Sequence, residues 1–124
     1  MYRTVTAALA AAAVAAAVVL AGAGPAAAAQ RLGHCAAGQL CLWAEPDFGG
    51  SPRTHELHRT GTQACVALPK GAAANAFANR TGRPVTVYQD PECGETGEFD
   101  TYPGDGTWVP RTAYQVRAFK IWER

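Results

Sequence analysis

Beyond residue 30 the sequence has no stretch with the 3.6-residue apolar period of an amphipathic helix, which excludes helical bundles and sheets layered with helices. It has no C-x2-C pair, so a zinc ribbon or finger is not expected. An H-E-x-x-H zinc site is missing too. His55 and His58 stand three positions apart rather than four, in a segment that reads as a strand edge and turn, and no pattern joins His34 to them as a third ligand. All of these histidines are expected on the surface. With no Ser-His-Asp arrangement and no glycine-rich phosphate loop, the chain offers no recognisable catalytic apparatus, and an enzyme is not expected.

A leader precedes the domain. Arg3 supplies a positive start, residues 7–21 are all Ala, Val or Leu, Gly22-Ala-Gly-Pro25 breaks the run, and Ala26-Ala-Ala-Ala29 fits a small-residue cleavage site. The apolar stretch is shorter than the roughly 18 residues of a membrane span and has no basic stop-transfer flank. The reading is a secretory signal peptide over residues 1–29 and an extracellular domain over 30–124, with no membrane attachment after cleavage.

Net charge of either sign is also absent from that domain, because Arg3 leaves with the leader and ten Lys and Arg then face ten Asp and Glu. A nucleic-acid partner is therefore not expected. The signs are nonetheless segregated: residues 90–105 hold Asp90, Glu92, Glu95, Glu98, Asp100 and Asp105 without one Lys or Arg, a distribution read as a solvated loop.

A domain of 95 residues has a limited core, and covalent staples are expected. All four cysteines, Cys35, Cys41, Cys65 and Cys93, lie within it, an even count suited to two disulfides in an oxidising space. Three pairings are possible. Cys35 with Cys41 and Cys65 with Cys93 is favoured, since the first pair brackets a short loop and the second ties the end of one unit to the turn of the next. Loop closure would contribute about 2 and 3.5 kcal/mol respectively.

Those units are a repeat. Trp43-Ala-Glu-Pro-Asp-Phe-Gly-Gly50 returns in altered form 45 positions later as Tyr88-Gln-Asp-Pro-Glu-Cys-Gly-Glu95, each copy following a short apolar strand. Strands are expected at 40–43, 53–57, 76–79, 85–88, 98–102, 108–109 and 116–122, the last buried on both faces or bulged. Turns are marked by Gly49-Gly50, Gly71, Thr81-Gly82, Gly94, Gly97 and Pro103-Gly-Asp-Gly106. Phe48 is expected to pack near Trp43, with Gly50 supplying a positive φ. Trp108 and Trp122 are read as packing residues. Asn79-Arg-Thr81 fits a glycosylation sequon but is read as a strand end and turn.

The aromatic-x4-aromatic-x-Gly pattern resembles the Greek-key signature of the βγ-crystallins. Extending the comparison, Cys35-Ala-Ala-Gly-Gln-Leu-Cys41-Leu-Trp-Ala-Glu-Pro-Asp-Phe-Gly-Gly50, Leu68-Pro, Ala76-Phe-Ala-Asn-Arg-Thr-Gly82 and Val85-Thr-Val-Tyr-Gln-Asp-Pro-Glu-Cys93 resemble the family of the Streptomyces metalloproteinase inhibitor. The resemblance implies an all-β, βγ-crystallin-like double Greek-key sandwich stapled by two disulfides. It implies an actinobacterial, secreted, monomeric inhibitor of thermolysin-type zinc metalloproteases, without cofactor or metal ligands of its own.

In that family an exposed rigid loop enters the protease cleft like a substrate. Carried over, the loop falls within residues 90–99, with Asp90, Pro91, Glu92, Cys93, Gly94 and Glu95 at its centre and the bond after Cys93 as the scissile position. The chain departs from the family in two respects: Gly94 follows that bond where a bulky apolar residue is preferred, and no second cysteine lies downstream of Cys93. The alternative expectation is a calcium-binding or otherwise non-inhibitory module of the same fold. Its calcium stretches would be residues 71–76 and 110–115, and neither carries the Asx-Asx-x-x-Ser/Thr-Ser pattern.

Overall fold

Along β1 (Gln39–Trp43), Leu40 and Leu42 alternate with Cys41 and Trp43, and all four side chains are buried. A strand buried on both faces needs cover on both, and that requirement organises the molecule. The computed structural model describes residues 32–124; the leader expected over 1–29 lies outside the described residues.

After β1 come a tight turn at Pro46–Phe48, β2 (Arg53–Glu56), one helical turn α1 (Leu57–Thr60), β3 (Val66–Ala67), β4 (Ala76–Asn79), β5 (Val85–Tyr88), β6 (Phe99–Tyr102), β7 (Thr107–Val109) and β8 (Ala118–Ile121). They form two antiparallel four-stranded sheets, in the orders β2-β1-β4-β7 and β3-β8-β5-β6. Each unit of four consecutive strands therefore lends its third strand to the other unit's sheet. The two halves meet where Ala74 and Val116 exchange backbone hydrogen bonds of 2.8 and 2.9 Å. Matching bonds flank this point, Asn75 N–H to the Trp43 carbonyl and Arg117 N–H to that of Tyr88, each at 2.8 Å.

Between the sheets lie Leu40, Leu42, Phe77, Val85, Val87, Val116, Phe119 and Ile121. Burying each such side chain contributes about 1.5–3 kcal/mol. A second cluster covers the opposite face of β1 and β4, where Trp43 meets Phe48 edge-on at 5.1 Å and Trp108 packs 6.5 Å away. The chain before β1 passes so close that a Cβ on Gly33 would lie 2.3 Å from the Trp43 ring. Gly50 takes the expected positive φ of 81°.

The observed strands differ from expectation where elements are short. β2 ends at Glu56: the Leu57 N–H still reaches across to the Gly38 carbonyl at 3.0 Å, but the Leu57 carbonyl accepts the Gly61 N–H at 3.0 Å, which closes α1. A single turn is too brief to show helical periodicity. β3 has two residues, held by its pairing with Phe119 and Ala118, and no local pattern announces it. The last strand is confined to Ala118–Ile121, with Ala118, Phe119 and Ile121 buried.

Candidate functional site

Residues 89–98 join β5 to β6, and two hydrogen bonds between Gln89 and Glu98 close the connection at its base. The Gln89 N–H donates to the Glu98 carbonyl at 2.9 Å, and the Glu98 N–H donates to Gln89 Oε1 at 3.2 Å. Inside it, Asp90 accepts three backbone N–H groups: Glu92 on Oδ1 at 3.0 Å, Gly94 on Oδ2 at 3.1 Å, and Cys93 on its carbonyl at 3.0 Å. A carboxylate accepting backbone N–H groups makes the stronger, charge-assisted kind of hydrogen bond. The approach is tight enough that a Cβ on Gly94 would lie 2.1 Å from Oδ2.

Cys93 has a φ of 59° and is bonded to Cys65, whereas Cys35 is bonded to Cys41. Left-handed backbone costs a non-glycine residue about 1–2 kcal/mol, and here the disulfide and the Asp90 bonds hold it. The six candidate residues thus share one loop. Pro91, Glu92 and Glu95 are exposed, while Asp90, Cys93 and Gly94 are half-buried. Glu95 lies within electrostatic range of the Tyr88 phenol, whose pKa is raised first by burial and then by that carboxylate.

Other candidates do not converge. His55 is half-buried rather than fully exposed as expected: it pairs with Leu40 in the sheet and packs edge-on against Phe119 at 4.8 Å. His58 is exposed, 3.3 Å from Glu56. Among the described residues no three His, Cys, Asp or Glu form a metal-holding group. Asn79 is fully buried, its amide donating to the Arg83 and Pro103 carbonyls and accepting from Thr81, so the sequon is a structural corner. Of the acidic segment, Asp100 accepts the Tyr114 hydroxyl at 2.8 Å; burial first, and this bond next, hold the Tyr114 phenol protonated. Gln89, which brackets the loop, carries no local signal in the sequence.

The model of Peptidase inhibitor family I36 matches residues 28–101. The chain belongs to peptidase inhibitor family I36. The match takes in all four cysteines and the whole 89–98 connection, and it is the family that the motifs resemble. As an I36 member the protein is a peptidase inhibitor and not an enzyme, and its partner is a peptidase. No curated protein and no solved structure matches the chain significantly.

Proposed function

We propose that this I36 inhibitor is exported and blocks thermolysin-like zinc metallopeptidases by laying residues 90–95 across the cleft like a substrate, with the bond after Cys93 at the partner's zinc. The observation that carries the reading is an exposed loop already held in one conformation, by the Asp90 carboxylate, the Gln89–Glu98 closure and the Cys65–Cys93 bond. A loop ordered before binding loses little conformational entropy on docking, and its ends stay together if it is cut, which favours religation. Because Gly94 offers no apolar side chain to the pocket beyond the cut, preorganisation supplies the affinity. Closure by Cys65 serves where the family uses a downstream cysteine.

The scaffold reading is a βγ-crystallin-like double Greek key, supported by a fourth strand returning beside the first in each unit. Export is supported by the Ala-rich leader and by four cysteines all in disulfides. The test is titration of the oxidised protein against thermolysin, with subtilisin as control and intact mass followed throughout. Stoichiometric inhibition of thermolysin alone, with slow cleavage inside residues 90–95, is the expected result. Failure to inhibit thermolysin, or equal inhibition of subtilisin, would refute the metallopeptidase assignment.

A further inference from the structure

The 45-residue repeat gives the loop an internal reference, since position 45 corresponds to 90 and position 48 to 93. Phe48 and Cys93 share the same left-handed backbone, with φ of 58° and 59°. In the first unit Glu45 makes no side-chain bond to the turn, and the loop is held by the buried Phe48 ring, edge-on to Trp108 at 5.6 Å. In the second unit no aromatic ring does this, and the Asp90 carboxylate bonds the backbone on both sides of Cys93 instead.

We infer that Asp90 is the positioning residue of the inhibitory loop, fixing the peptide bond after Cys93 in the presented conformation. This rests on the reading of residues 90–95 as the peptidase-contact loop. Aspartate suits the role because it offers two acceptor oxygens and no donor, one for each N–H. Asparagine keeps one acceptor and turns an NH2 toward the other N–H; alanine keeps neither. Gly94 is the complementary half of the device, because any Cβ there would displace Oδ2. A loop freed of this restraint should be cut and released as a substrate rather than held.

The test compares wild type with Asp90→Asn and Asp90→Ala by amide hydrogen exchange, by thermolysin inhibition, and by cleavage with thermolysin and the unrelated peptidase subtilisin. Asp90→Ala should speed exchange at Glu92 and Gly94 by about tenfold or more, the loss expected for charge-assisted bonds, while the amides of β1 and β5 keep their protection. It should also weaken inhibition by about tenfold and hasten cleavage inside the loop by both peptidases, with Asp90→Asn intermediate. Unchanged exchange at the two amides overturns the proposal, as does faster exchange with inhibition and cleavage left at wild-type levels. If wild type itself fails to inhibit thermolysin, the metallopeptidase reading falls; exchange and subtilisin cleavage then decide the role of Asp90, with wild-type rates refuting it.

Discussion

His55 shows how one residue can be misjudged from its type alone. Its polarity and place at a strand edge point to the surface, yet pairing with Leu40 puts it on the inward face of β2 against Phe119. Burial, with Arg53 adding to it, lowers the His55 pKa from its ordinary 6.5. The unfolded chain therefore takes up this proton at a higher pH than the folded one, so the site's stability is complete above pH 6.5. It should decline as pH falls from 6.5 toward the lowered folded value, then level off. Urea unfolding from pH 8 to pH 5 should show this decline in wild type and a smaller one in His55→Phe; identical profiles would refute it. Trp43 is the contrasting case: its spacing from Phe48 is local, and the expected ring contact is present at 5.1 Å.

At the scale of elements, the two hairpin loops are alike in backbone and different in fastening. Continuing the register Val66↔Phe119 by one position sets Cys65 opposite Lys120, in the place that Trp108 occupies opposite Ala78. The Cys65–Cys93 bond thus stands where the first unit has the Trp108–Phe48 ring contact. Replacing both half-cystines, Cys65→Ala with Cys93→Ala, should lower stability in urea by about 3.5 kcal/mol, the loop-entropy value for a bond closing some 29 residues. A loss below about 1 kcal/mol would mean that the reduced chain is already restrained. The loop residues were legible because acid-Pro-acid followed by glycine is turn chemistry. β3 and α1 were not, because elements of two and four residues are created by their tertiary partners.

For the whole molecule, exchange of the third strands makes each sheet depend on both units, so neither half can keep a complete sheet alone. Unfolding in urea should accordingly be a single transition, with Trp fluorescence and far-UV circular dichroism superimposing; separated midpoints would show that the units melt independently. The sequence by itself determined the inhibitor family, the all-β class and the repeat. Those properties reside in alternation, turn residues and motif spacing over a few neighbouring positions. Only the tertiary structure decided which strand each unit lends to the other's sheet, that His55 faces Phe119, that Asn79 ties Arg83 to Pro103, and that the Cys65–Cys93 bond takes the place of the Trp108–Phe48 contact. These depend on the path of the folded chain, and on ångström-scale approaches between groups whose separation the linear pattern does not encode.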